Sequence, residues 1–252
     1  MIMININALE TYCNDCLNAD GFDDYCPNGL QVEAVSEVNR LMVGVTASQA
    51  LIDAAVDWGA DALLVHHGFF WKGEAAVLRG MKGRRISALI KGGVNLLVYH
   101  LPLDAHPVWG NNRQLAERLD FPSPRVTEAG NGLLWRCDLE APLQAVELQR
   151  RLQEVLGRAP LHIDSGGGAI QSVGWCTGGA QGFIEAAADL MLDAYISGEI
   201  SEATVHVARE RGIHYFAAGH HATERYGVQA LAEHLAARFS LEYRFVDIDN
   251  PA

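Results

Sequence analysis

Two stretches far apart in the chain share one plan. VGVTASQALIDAA (43–55) and WCTGGAQGFIEAA (175–187) each run from small residues closing a strand, through a glutamine and an apolar residue, to Ile-acid-Ala-Ala opening a helix. At the same offset DALLVHH (61–67) falls on DAYISGE (193–199). Further on, RISALIKGGVNLLVYH (85–100) resembles TVHVARERGIHYFAAGH (204–220), with Gly93 matching Gly212; the offset shortens because the first copy carries the extra segment FFWKGEAAVLRGMKG. A strand, a helix and a second strand in succession imply a crossover and parallel pairing. Repetition of such a unit predicts an internal duplication, so the expected fold is α/β with two similar α/β lobes.

Residues 40–46, 61–66 and 94–99 read as strands, with helices near 48–58 and 84–92 between them. The second half repeats the pattern with strands at 173–177, 193–197 and 213–218. The stretches richest in Gly, Pro and Ser are DFPSPRVTEAGNG (120–132) and GRAPLHIDSGGGA (157–169). The first lies between the copies and sets the expected lobes at 1–125 and 126–252. The second reads as a loop between an amphipathic helix near 142–156 and the strand at 173.

In open α/β sheets ligands collect beyond the carboxyl ends of the strands. That rule singles out His66 and His67 after the second strand, His100 and Asp104 after the third, and Glu199 with the run His220-His221-Ala222-Thr223-Glu224 in the other lobe. His, Asp and Glu without cysteine suit zinc, manganese, iron or magnesium in Lewis-acid work, whereas structural zinc favours thiolates. Neighbouring side chains of a strand point to opposite faces. His66 and His67 therefore share a cleft only if the strand ends there, and Gly68 is expected to let the backbone turn. If a helix starts at Gly219, His220 and Glu224 project from one face, which leaves His221 a supporting or substrate-contacting role. Asp104 sits in LPLDAH, expected to be a rigid loop held between Pro102 and Pro107. Donors of this kind outnumber the three that a catalytic zinc takes, and a carboxylate can bridge, so two metals are expected.

Composition bounds the partners. The chain of 252 residues is 49% apolar and 20% charged, and its net charge of −12 argues against direct sequence-independent binding to nucleic acid. Arg79, Lys82, Arg84 and Arg85 form a local basic patch able to meet a phosphate-bearing ligand. No run reaches the roughly 18 apolar residues of a membrane span, and MIMININALETYCNDC lacks the basic start and cleavage site of a leader. The expected location is cytoplasmic, with no membrane partner. Five scattered cysteines fit reduced thiols. Cys13 and Cys16 make a C-x-x-C in an expected first helix, without a second pair to complete a zinc site.

Five motifs carry a family resemblance. VHHGFFWKGE (65–74), YHLPLDAHPVWGNN (99–112), SGEISE (197–202), AAGHHATERYG (217–227) and PNGLQVE (27–33) together resemble the YbgI and Nif-three-like family of dinuclear metal-binding proteins, GTP cyclohydrolase I type 2 homologues. The likeness runs from PNGLQVE to the terminal DIDNPA and fits the form without an inserted domain. It implies two α/β lobes with a dinuclear metal site in the cleft between them. The ligands it implies are His66, His67, Asp104, His220 and Glu224, holding two divalent ions per chain (Zn, Mn, Fe or Mg). It also implies a toroidal homohexamer.

The function expected on that footing is a dinuclear metal-dependent hydrolase acting on a purine nucleotide or related heterocycle. A metal-bound hydroxide would attack an electrophilic carbon, in a purine the imidazole C8. Glu199, His100 and His221 are the candidate catalytic proton carriers, and Lys72 with the nearby arginines would hold a triphosphate. The rival expectation is a non-catalytic metal-binding ring protein, a carrier or regulatory scaffold linked to DNA-damage or radiation protection.

Overall fold

The computed structural model describes residues 3–252. The chain forms two compact units, Met1–Gly110 with Gly227–Asp249, and Asn111–Tyr226 with Asn250–Ala252. This division departs from a single cut at 125/126 in two places, and packing explains both. Leu115, Ala116, Leu119 and Phe121 bury in the second unit's core. Val228, Leu231, Ala232, Leu235 and Leu241 bury in the first unit's.

The first unit opens with β1 (Ile4–Asn5), α1 (Ile6–Leu17), β2 (Gly29–Val32) and β3 (Glu37–Val38). It continues with β4 (Arg40–Thr46), α2 (Gln49–Trp58), β5 (Ala62–His67), α3 (Gly80–Gly92), β6 (Asn95–Val98) and α4 (Leu101–Ala105). β4, β5 and β6 are parallel neighbours, and β2 adds to β6 antiparallel. Their near-continuous apolar runs are buried almost throughout, as expected of strands covered on both faces. α2 begins where Ser48 Oγ accepts the Leu51 N–H at 3.3 Å, and it buries Leu51, Ile52 and Ala55. α1 buries Ile6, Leu9, Cys13 and Leu17 along one stripe. Cys13 is thus a core residue whose thiol pKa burial pushes up, and burial pushes that of Cys16 up to about 11. All five cysteines are free, and the C-x-x-C has little thiolate with which to bind or react.

The second unit runs through α5 (Asn111–Arg118), β7 (Arg125–Val126), β8 (Trp135–Leu143), α6 (Ala145–Leu156), β9 (Leu161–Ile163) and β10 (Ile170–Trp175). It then takes in α7 (Ile184–Asp189), β11 (Ala194–Ser197), α8 (Glu202–Arg211), β12 (His214–Ala217) and α9 (His220–Thr223). Its six-stranded sheet has the order β7-β8-β10-β11-β12-β9, with β10, β11 and β12 parallel and the flanking strands antiparallel. The stretch 157–169, expected as loop, contains β9, because Leu161–Ile163 pairs with the far side of β12.

The chain ends with α10 (Arg225–Phe239) and β13 (Glu242–Phe245). β13 lies parallel to β4 and completes the first unit's sheet in the order β13-β4-β5-β6-β2. Among the described residues no helix is long and apolar enough to cross a membrane.

Candidate metal centre

In the first unit, pairing of β5 with β4 continues through His67, opposite Thr46. The strand has therefore not ended at the histidine pair, contrary to the simple reading of its alternation. The two rings nevertheless lie 4.6 Å apart, centroid to centroid, at the strand's last two positions. Gly68 does not use a positive φ. Its glycine is required by close approach instead, since a Cβ there would run into Val98 Cγ2 and Gln31 Oε1.

His66 is fully buried, with Nδ1 at 2.9 Å from the Tyr99 carbonyl oxygen. A carbonyl only accepts, so Nδ1 carries a proton, and in the neutral ring Nε2 then offers its lone pair to a cation. That Nε2 stands 3.5 Å from Oδ1 of Asp104, itself buried. Two acceptors facing one another away from water favour a shared cation, which is the requirement of a metal site. Asp104 sits within α4 rather than in a loop: Pro102 occupies the first turn, where no N–H is needed, and the Asp104 N–H donates to the His100 carbonyl at 3.1 Å. His67 is half-buried, its Nδ1 3.1 Å from Thr46 Oγ1. His66, His67 and His100 offer ring nitrogens that all lie within 4.8 Å of one another.

His100 is gripped by a residue the sequence did not reveal. Its Nδ1 is 2.7 Å from Asp24 Oδ1, and its backbone N–H donates to Asn28 Oδ1 at 2.8 Å. Asp24 also accepts the N–H groups of Tyr25 and Leu101 and the amide of Asn28. Burial works against its ionisation, yet the bond and charge of His100, with the donors of Asn28 and Leu101, hold its pKa down at about 2. Beside this pair lies a cavity of about 480 Å³ lined by Asp24, Tyr25, Asn28, Phe70 and Lys72, among others. Lys72 is exposed, with Nζ 2.8 Å from Asp23. In the expected basic patch Lys82 is already engaged by Glu74 and the Ala75 carbonyl, while Arg79 and Arg84 line a shallow depression with Lys91.

In the second unit Glu199 lies two residues beyond β11, His220 opens α9 and Glu224 caps it. α9 stops at Thr223 rather than running on through Glu224, but the side chains still meet: His220 Nε2 is 3.1 Å from Glu224 Oε2, and Nδ1 is 2.7 Å from Glu199 Oε1. Burial pulls the His220 pKa down, and the two carboxylates more than reverse it, carrying it up to about 9. His221 is buried, and its backbone N–H donates to the Ala252 carbonyl at 3.3 Å.

Gly178, just past β10, completes this corner. Its φ is +68°, and a Cβ would collide with the Glu224 carboxylate. Its N–H donates to Thr223 Oγ1 at 3.0 Å, and its carbonyl accepts from Ser197 Oγ and the Gly198 N–H at 3.1 and 2.8 Å. In the sequence Thr177-Gly178-Gly179 shows only as small residues closing a strand.

Imidazoles and carboxylates gathered beyond the ends of parallel strands mark a mixed α/β protein with residue groups able to hold a metal ion. The chain belongs to the Duf34/NIF3 (NGG1p interacting factor 3) family, whose model matches residues 4–251. It is 54% identical over 251 residues to the GTP cyclohydrolase 1 type 2 homolog of Allochromatium vinosum, covering 100% of this chain and 99% of that one. A solved structure of protein ybgI, of unknown function, matches at a TM-score of 0.94 and 49% identity over 99% of this chain and 100% of that one. A crystal structure of a Thermus thermophilus protein matches at 0.91 and 34% identity, with coverage of 99% and 100%.

Proposed function

We propose that this chain is a metal-dependent hydrolase of the GTP cyclohydrolase 1 type 2 homolog kind, acting on a purine nucleotide or related heterocycle. His66, His67 and Asp104 of the first unit and His220 and Glu224 of the second together hold two divalent ions in a cleft between two duplicated lobes, and the chains assemble as a ring of six. The same order of three parallel strands in both units supports the duplication. The observation that carries the metal reading is His66, whose Nδ1 is committed to Tyr99 and whose Nε2 faces Asp104. Neither donor set contains cysteine, which fits zinc, manganese, iron or magnesium rather than a thiolate-bound structural ion.

Bound divalent ions would supply Lewis acidity, lowering the pKa of water and polarising the substrate. The protein's own groups do the rest. Asp24 fixes the orientation of His100 with its proton on Nδ1, which leaves Nε2 as the ring's acceptor. Glu199 orients His220 through Nδ1. The cavity beside Asp24 falls in the size range of small-ligand sites, but its lysine, Lys72, is paired with Asp23 among three lining aspartates.

The test is metal analysis followed by turnover of GTP and related heterocycles, with Glu224→Ala as control. The proposal expects about two ions per chain that depend on these five donors, read as the difference in metal content between wild type and a chain lacking them, and a ring-opened product that disappears in the variant. Metal-loaded protein that converts none of these substrates faster than Glu224→Ala would leave the non-catalytic carrier or scaffold as the better reading.

A further inference from the structure

A separate cluster of metal-competent side chains stands at the other end of β12 from His220. His214 is the first residue of that strand, His162 lies on β9 and Asp164 follows β9 directly. His162 Nε2 is 3.2 Å from His214 Nδ1, and Asp164 Oδ1 is 3.5 Å from the same nitrogen. All three donor atoms lie within 4.8 Å of one another.

Hydrogen bonding sets the tautomer. His214 Nε2 is 3.4 Å from the Gly168 carbonyl, which only accepts. The proton therefore sits on Nε2, and the lone pair of Nδ1 points toward His162 and Asp164. A backbone carbonyl behind a ligating imidazole is the usual support of a metal site. Ring stacking of His162 on Phe216, at 4.5 Å and 9°, fixes the second imidazole. An ion bound tetrahedrally at about 2.0–2.2 Å holds its donors about 3.3–3.5 Å apart, close to the two separations that His214 Nδ1 makes. His214 is buried and Asp164 exposed, so the site has both a fixed wall and an entrance.

We propose that His162, Asp164 and His214 form a mononuclear site for a divalent ion of the zinc class, distinct from the donors at the strands' carboxyl ends. Two nitrogens and one carboxylate oxygen leave a fourth position for solvent, and imidazole-rich donors favour zinc, nickel or copper over magnesium. Such an ion pins the three-residue β9 and the Gly-rich segment 164–169 to β12. Without it, the two imidazoles are joined only by a hydrogen bond.

The experiment is equilibrium dialysis of the metal-stripped full chain against zinc, with cobalt as a spectroscopic substitute, for wild type, Asp164→Asn, His162→Gln and Glu224→Ala. Asp164 is exposed, so its variant tests the site without disturbing the core. Asp164→Asn and His162→Gln should each bind one zinc fewer than wild type, or bind it at least about ten-fold more weakly, and should lose one component of the visible cobalt spectrum. Glu224→Ala should keep that component. Equal zinc content and unchanged cobalt spectra in wild type, Asp164→Asn and His162→Gln would overturn the proposal and leave a plain His–His hydrogen bond.

Discussion

Asp24 Oδ1 stands 2.7 Å from Nδ1 of His100, and the same carboxylate takes the N–H groups of Tyr25 and Leu101. The ring is thereby held in one orientation and one tautomer. Asp24→Asn removes the carboxylate that orients His100 and sets its tautomer, and turnover should fall by about 10–100-fold with metal content unchanged. Unaltered kcat in that variant would take His100 out of the reaction.

The same residue shapes acid stability. Its pKa of about 2 in the folded protein lies below the ordinary 3.8. The stabilisation is present above the unfolded value and is lost as pH falls toward the folded one. Urea denaturation at stepped pH should show wild type losing stability more steeply than Asp24→Asn between about pH 4 and pH 2. Parallel slopes would mean that the carboxylate is not held as described.

At Gly178 a methyl group meets both a positive φ and the Glu224 carboxylate. Gly178→Ala should cost about 1–3 kcal/mol of stability from backbone strain and weaken metal binding by moving Glu224. Thermal melting and metal stoichiometry read the two effects separately. A variant that melts like wild type and binds metal equally well would show that neither constraint operates.

His66→Ala and His67→Ala test the two-ion reading. Each variant should retain at most one of the two ions, and chelation should lower the melting temperature of wild type far more than that of either variant. A ligand at 100 times its Kd stabilises by about 2.7 kcal/mol. Wild-type stoichiometry well below two would end the dinuclear proposal while leaving a single-ion site standing.

Gly68→Ala should destabilise by about 1–3 kcal/mol, because the added Cβ has Val98 and Gln31 in its path. Denaturant unfolding measures it. The Gln31 side chain accepts the Phe69 N–H at 2.7 Å, so the variant should also loosen the segment after His67. A variant as stable as wild type would mean that Gln31 swings aside freely.

The parallel strands β4, β5, β6, β11 and β12 are legible in the sequence because each is a compact apolar run, whereas β10 reads as 173–177 rather than Ile170–Trp175 because Gln171 and Ser172 interrupt its first half. β9 and β13 are not legible. LHI sits in a Gly- and Pro-rich stretch and EYRF is largely exposed, so their strand character comes from pairing with β12 and β4 rather than from their own patterning. Asp104 shows a different limit: two prolines suggest a loop, but Pro102 falls where a helix accepts one. His66, His67, His100, His220 and Glu224 stand out by residue type at strand ends. Asp24 does not, since it lies in a polar stretch and its partner is 76 residues away. Gly178 is equally silent, because only the folded chain shows what its missing Cβ makes room for.

The pairing of β13 with β4, Tyr243 opposite Leu41, sets an order of assembly. On the ribosome every strand from β7 to β12 has been made before residues 242–245 emerge, so the second unit has its whole sheet available while the first still lacks one edge. The half of the protein synthesised first is the half that closes last. Until it closes, the apolar run of β4 presents an open edge to whatever strand is nearby, and a stalled or prematurely terminated chain carries that hazard permanently.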